Sequence, residues 1–560
     1  DPEITDSNTG TYDGSTTIRT VTAAEDLLRC HAVVDGDLTV DLTDLSSFAG
    51  LTAVTGTLWL EEADALAGLE DLSEVGGDLV LFNNLNLTSA AGLEGLTTIG
   101  GDLDIRQDYY WNGGSNWVDA SALESLTGLE NLTTIGGNLN IANQPLTSLD
   151  GLSGLTSIGR DLVLSSVDIE SLSGLSSLTA IGDDIDLQSS SNLSDISQLS
   201  FLTEIHGYID LNNVGSLTDL TGLDSVTAIG SGLYIRDTGL VDLSDLSTLT
   251  SIGGMLNISN NSDLESLDGL DELTEIPGGL TLDANSSLAD IDALAGVTDI
   301  GGSLTVADSS ALADLEGLSA LESVAGSVNL NGNNALENLD GLSALSGIGD
   351  SLTMSDCPEL SELPLPSLTR IDGALSITDT FLTELSMPAL ATIGDDLLLE
   401  GNTDLSSMDL SALEEIAGEV YIADSPLTAL DLSTLTRIGS TLELMDLDDL
   451  TSLDLSALEE GSMFLLDNLT ALQSLTVGPA EFDSRITLSR LSGLTTLDLS
   501  QVTGIGGTLM VTDTQVEALD LSALASLGGG LTLEDNSALA SVEAPPVSYT
   551  HLTLPTTYTV

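Results

Sequence analysis

Leu132-Thr-Thr-Ile-Gly-Gly-Asn-Leu-Asn-Ile141 is the stretch on which the fold turns. It holds an aliphatic anchor, Ile135, a glycine corner and a short alternating run. Side chains of a strand point to opposite faces in turn, so Leu139 and Ile141 face one way and Asn140 the other. The pattern recurs at Ile158-Gly-Arg-Asp-Leu-Val-Leu164, Ile181-Gly-Asp-Asp-Ile-Asp-Leu187, Ile252-Gly-Gly-Met-Leu-Asn-Ile258 and Ile393-Gly-Asp-Asp-Leu-Leu-Leu399. Anchors fall at Ile135, Ile158, Ile181, Ile205, Ile229, Ile252, Ile276, Ile300, Val324, Ile348, Ile371, Ile393, Ile416 and Ile438, spaced 22 to 24 residues apart. Earlier ones stand at Val34, Val54, Val75 and Ile99, later ones at Ile505 and Leu527. The 67 residues from Ile438 to Ile505 fit three turns with degenerate anchors.

A period of this size marks a repeat array, in which no turn can bury its apolar face alone and stacking makes the core. The reading is mainly β: a single right-handed β-solenoid of about 22 turns. Residues 1–22 are expected to be a flexible lead, and 23–33 an N-terminal cap. The cap is a short helix, Ala23 to Arg29, with Thr22 as N-cap. The solenoid proper is placed at 34–545. Its second apolar segment reads Leu-x-Gly-Leu up to about residue 350, as in Leu267-Asp-Gly-Leu270. From about 385 it reads Leu-Asp-Leu-Ser, as in Leu430-Asp-Leu-Ser433, so a change of repeat subtype is placed at 350–385. Glycine after the anchor, where it occurs, is expected to permit positive φ at the corner. After the strand comes Asn or Asp, at Asn143, Asp237, Asn260, Asp308, Asp356, Asp379, Asp424 and Asp513. These eight are expected to stack as a ladder satisfying backbone groups at the bend.

The unit 132–141, followed by Leu146-Thr-Ser-Leu-Asp-Gly-Leu152, resembles the receptor L-domain repeat of insulin- and EGF-type receptors. It is also similar to fungal cell-wall and bacterial surface repeat proteins. The resemblance covers roughly 30–545. It implies an extracellular or cell-surface protein that binds through an exposed β face. An ordinary leucine-rich repeat is the near alternative; it places Asn three residues after the second strand aliphatic. Ile141-Ala-Asn143 sets it two after, which favours the L-domain type.

Composition narrows the partners. The chain carries 89 acidic and 9 basic residues, net −80, and is 41% hydrophobic but only 3% aromatic. Phosphate recognition needs clustered positive charge, so nucleic acid is excluded. An anionic membrane surface is disfavoured for the same reason, and no apolar run is long enough for a transmembrane helix. Strong like charge also favours a monomer. Cys30 and Cys357 are some fourteen turns apart and are expected not to pair, since a disulfide needs Cα atoms within about 7 Å.

Catalysis would need a poised nucleophile, acid–base pair or metal cluster. His31, His206 and His551 are isolated, Cys–His metal spacing is absent, and pairs such as Glu414-Glu415 arise by chance in so acidic a chain. No catalytic residue, metal or cofactor is assigned. One insertion breaks the period, at about 106–120, and contains Tyr109-Tyr-Trp-Asn-Gly-Gly-Ser-Asn-Trp117. Tyr and Trp combine apolar area with a polar tip, and loops on rigid scaffolds often carry function. Tyr109, Tyr110, Trp111, Asn112 and Trp117 are therefore the candidate ligand contacts, for a glycan or a protein. The outward strand positions run Asp104, Asn140, Val163, Asp186, Asp210, Tyr234, Asn257, Thr281, Thr305, Asn329, Thr353, Ser376, Leu398, Tyr421 and Glu443. No uniform Thr row appears there, which leaves ice binding a weak alternative; a purely structural stalk is the other.

The chain begins Asp1-Pro2, as expected of a processed secretory protein or a fragment edge. Residues 546–560, with Val547-Ser-Tyr-Thr-His-Leu-Thr-Leu-Pro-Thr556, lack repeat logic. They resemble the translation of a synthetic transposon adapter and are expected to be a non-native tail.

Overall fold

In the computed structural model the described residues are 10–29, 31–107, 110–111, 117–118, 122–544 and 552–553, with backbone only for 110–111, 117–118 and 552–553. They form a mainly β, parallel solenoid of about 23 turns. The chain divides into two units, Asp1–Leu273 and Thr274–Val560, taken in turn.

In the first unit, strands such as Leu58–Glu61, Leu79–Phe82, Leu103–Arg106, Leu139–Gln144, Leu162–Val167, Ile185–Gln188, Ile209–Val214, Leu233–Thr238 and Leu256–Ser259 pair in parallel, each with its neighbour. Register aligns every inward aliphatic with its counterpart, as Leu139 with Leu162 and Ile141 with Leu164. The anchors form a second, shorter ladder, with Ile99, Ile135 and Ile158 in one row. Three-residue 3-10 helices such as Asp150–Leu152 and Ser173–Leu175 make a further side. Leu, Ile and Val fill the interior almost without exposure.

The array begins earlier than its sequence predicts. Thr11–Asp13 and Thr16–Ile18 are already paired with Val33–Asp35 and Leu38 to Val40, so this part of the expected flexible lead is strand. The helix follows this rung and spans Val21–Leu28, capped by Thr20 instead of Thr22: the Thr20 side chain accepts from the Ala23 N–H. Thr20 is the residue with extended backbone (φ −144°), the geometry an N-cap needs.

In the second unit the same strand ladder runs from Leu280–Asp283 through Leu531–Glu534. The backbone of Leu552–Thr553 pairs in parallel with Leu531 and Thr532. The second segment changes conformation inside this unit. It is a 3-10 helix at Asp292–Leu294, Glu316–Leu318 and Asp340–Leu342, and a strand from Glu362–Pro364 onward. The degenerate anchors are Gly461 and Phe482, which pair in one row. Phe482 stacks on Phe464 with centroids 5.9 Å apart, so a large ring fills the volume that Gly461 leaves.

Glycine after the anchor serves close approach, not positive φ. Gly136 and Gly159 have no left-handed backbone. A Cβ on Gly159 would overlap the carbonyl oxygen of Gly136 on the preceding rung. The stacked backbones touch there, which favours glycine, although His206, Pro277, Ala325, Asp372 and Ala417 stand at the equivalent corner of other rungs.

Candidate functional site

Three rows of polar side chains tie the rungs together, and they must be separated from any surface that binds. The eight corner residues Asn143, Asp237, Asn260, Asp308, Asp356, Asp379, Asp424 and Asp513 all have left-handed backbone, φ 49° to 58°. The densest hydrogen bonding lies one residue later. Asn261 is fully buried; its amide donates to the Ile235 and Ser259 carbonyls, and its oxygen accepts from the Thr238 N–H and hydroxyl. In the second unit Asn333, Asn402 and Asn536 do likewise, with Ser309, Cys357, Thr380 and Thr514 as shorter substitutes. Leu256-x-Ile258-x-x-Asn261 is thus the leucine-rich-repeat spacing. The offset of two that favoured the L-domain type belongs to the left-handed residue, which Asn and Asp tolerate best among side-chain-bearing residues.

A second row, missed in the sequence, runs through the anchor corner of the first unit. Asp37, Thr57, Asp78, Asp102, Asn138, Asp161 and Asp184 each accept from the backbone N–H of the equivalent residue one rung on. A third uses hydroxyls: Thr97, Thr133, Thr156 and Thr179 each donate to the carbonyl of the rung before. Much of the Asp and Thr content is therefore structural.

The lone described cysteine, Cys357, belongs to the buried row. Its thiol donates to the Leu330 carbonyl at 3.1 Å, and burial raises its pKa. Cys30 lies outside the described residues. Among the histidines, His206 is exposed and His551 undescribed; His31 is buried with neither ring nitrogen bonded, against Tyr12 edge-on at 6.0 Å.

What remains is the outer face of the strand ladder in the first unit. Its register row reads Thr39, Trp59, Val80, Asp104, Asn140, Val163, Asp186, Asp210, Tyr234 and Asn257. The row beside it carries Phe82, Arg106 and Arg236. Two clusters stand out. In one, Trp59 and Phe82 pack at 5.3 Å and the Arg106 guanidinium lies over the Phe82 ring at 5.7 Å, its Nε 3.0 Å from Asp104. In the other, Asp186 and Asp210 lie side by side, Arg236 bonds Asp210 at 2.6 Å, and Tyr208 meets Tyr234 edge-on at 6.2 Å. Burial pushes the Asp186 carboxyl up to about 6, with the Asp210 and Asp184 charges adding to it. Burial also pushes the Tyr208 hydroxyl up to about 12, so it stays protonated. Counting outward positions back by two rungs from Asp104, through Val80, would have found Trp59; nothing in the sequence marks Asp186 as partly buried.

Of the candidate contacts in the insertion, Tyr109 and Asn112 lie outside the described residues. Tyr110 and Trp111 pair antiparallel with Val118 and Trp117, so the backbone turns back as a hairpin. It leaves the ladder just past the strand that ends at Arg106. A cavity of about 10 Å³, room for one water, lies at its base between Arg106, Gln107, Leu123 and Gln144.

This geometry defines a leucine-rich-repeat-like β-solenoid. No protein-family model and no curated protein matches the chain. Solved structures similar to it include the functional domain of InlJ from Listeria monocytogenes, described as including a cysteine ladder. It is 19% identical over 67% of this chain and 73% of that one, with TM-score 0.34. A leucine-rich-repeat protein of Leptospira interrogans is 15% identical over 74% of this chain and 85% of that one, with TM-score 0.21. Similarity at this level is too low to transfer function, and the fold assignment rests on the register and rows above.

Proposed function

We propose that the chain is a non-catalytic binding scaffold, extracellular or at a cell surface, whose ligand is a glycan or a protein. Ladders of this kind hold their outer side chains on rigid elements, which suits recognition. The observation that carries the reading is the half-buried Trp59–Phe82 pair on the outer face of the first unit, with Arg106 over it. Most outward positions of this row carry polar residues; a half-exposed aromatic pair there offers a stacking platform for sugar rings or an anchor for a protein. The hairpin bearing Trp111 and Trp117 leaves the ladder beside this pair, and is read as part of the same surface. No helix among the described residues is long and apolar enough to cross a membrane.

Glycan arrays and whole-cell binding provide the test. Trp59→Ala with Phe82→Ala is expected to reduce binding at least tenfold, and Trp111→Ala with Trp117→Ala to reduce it further. Unchanged binding in the first double variant removes the outer face from the proposal; unchanged binding in the second removes the hairpin.

A further inference from the structure

The rung that carries Leu103–Arg106 departs from its neighbours at the corner. Asn83 and Asn143, two residues past the inward Leu81 and Ile141, have left-handed backbone and half-buried side chains. Gln107 holds the same place after Ile105. It has no left-handed backbone, and it is only 6% exposed. Its side chain lines the cavity at the foot of the insertion, together with Asn84 of the rung before and Gln144 of the rung after. There its Nε2 is buried without a hydrogen-bond partner. A buried donor left unbonded is rare, because it forfeits its hydration with nothing in exchange.

Other rungs meet this need directly. Their inward amide is an Asn, which donates to a carbonyl of the rung before: Asn84 to Leu60, Asn261 to Ile235 and Asn402 to Ile377. For the Gln107 rung the equivalent carbonyl is that of Leu81, which stands in register with Leu60 and Ile105. Leu81 also lines the cavity. The unbonded donor and a residue bearing the usual acceptor thus face one space of about 10 Å³.

We propose that this space binds one structural water, which accepts from Gln107 Nε2 and donates to the Leu81 carbonyl and the Asn84 side-chain oxygen. The donor fixes the chemistry. An amide N–H calls for an acceptor, which excludes a cation. The volume admits one water and nothing larger, and a chain of net charge −80 repels small anions. The Asn84 oxygen already accepts from the Ala63 N–H at 2.8 Å and keeps a second lone pair. Three polar partners are what a buried water ordinarily has.

The water sits where the insertion is attached. The outgoing chain passes Gln107, and the returning chain places Leu123 on the same cavity wall. Next to it, the Glu124 N–H donates to the Thr88 carbonyl at 3.2 Å. A water held between Gln107 and the rung before therefore ties the outgoing foot of the insertion to the ladder, beside the bond that ties its return.

Crystals of the full chain test the ligand. One water peak within hydrogen-bond distance of Gln107 Nε2 is expected in wild type, and none in Gln107→Met, which keeps the length of the side chain and removes its donor. A Gln107 amide bonded directly to a protein acceptor, or a cavity without a peak in wild type, overturns the proposal. A bromide soak that gives an anomalous peak there overturns water in favour of a halide. Hydrogen exchange tests the joint. The Glu124 amide is expected to exchange at least tenfold faster in Gln107→Met. The Glu265 amide, bonded to the Val241 carbonyl at 2.8 Å in the same unit, is expected to change less than twofold. Equal exchange at Glu124 in both proteins overturns the tie to the insertion.

Discussion

At the level of single residues, the molecule shows how neighbouring positions divide one task. Asn260 makes the left-handed bend and Asn261 fills the buried hydrogen-bonding row. Both are Asn, and the sequence alone points to the first because its repeat partners are more uniformly Asn or Asp. Chain direction decides the second, since only after the bend does a side chain turn inward to meet the rung before. Asn261→Ala is expected to destabilise its rung by about 2–3 kcal/mol, because it strips partners from buried groups. Hydrogen exchange at Ile235 and Thr238 checks this, and Asn333→Ala is expected to act equally in the second unit. Asp186 carries the opposite sign. Its folded carboxyl lies at about 6, against 3.8 unexposed to the fold's influence. Well below pH 3.8 both states are protonated and nothing is lost. As pH rises through 3.8 to about 6 the unfolded chain ionises first, so the folded state loses stability. Asp186→Asn is therefore expected to raise the unfolding midpoint at pH 7.5 and to match wild type at about pH 3. A variant that is destabilised at pH 7.5 contradicts this.

The repeat element explains part of the acidity. Asp431 accepts from the Ser433 N–H at 3.0 Å and from its hydroxyl, and its carboxyl is held below the usual range by them. Asp195 and Asp242 are lowered in the same way by Ser197 and Ser244. Stability from these lowered carboxyls is present above the ordinary carboxylate range and is lost as pH falls through their folded values. Asp431→Ala is expected to cost about 1 kcal/mol, as for a lost cap, and Asp431→Asn less than half of that; urea unfolding at pH 7 separates them. The two glycine-corner effects differ more. Gly159→Ala forces the corner away from Gly136 and is expected to cost more than about 2 kcal/mol, in the class of overpacking. Thr156→Val removes one hydroxyl bond to Thr133 O, which the Thr156 N–H still satisfies at 2.9 Å, and is expected to cost about 0.5–1 kcal/mol. The anchor spacing was legible because 22 to 24 residues return the chain to the same wall. The compensation of Gly461 by Phe482 was not, since it joins residues a full turn apart.

Across the whole molecule, a net charge of −80 sets a repulsion that the apolar layers must outweigh. Salt screens repulsion between exposed charges farther apart than a Debye length, about 8 Å at physiological salt and shorter as salt rises. The thermal midpoint of the full chain is therefore expected to rise steadily from 10 mM to 1 M sodium chloride; a flat or falling midpoint shows that the carboxylates do not oppose folding. By itself the sequence determined the period, the parallel β architecture and the inward aliphatic rows. All of these follow from local alternation and composition, which every turn repeats. The tertiary structure decided which Asn is buried, where stacked backbones approach closely enough to favour glycine, and which outer residues become partly buried. Those depend on the rungs before and after. A carboxylate such as Asp186 looks like any other outward Asp until Tyr208, Asp210 and Arg236 arrive from later turns and partly desolvate it.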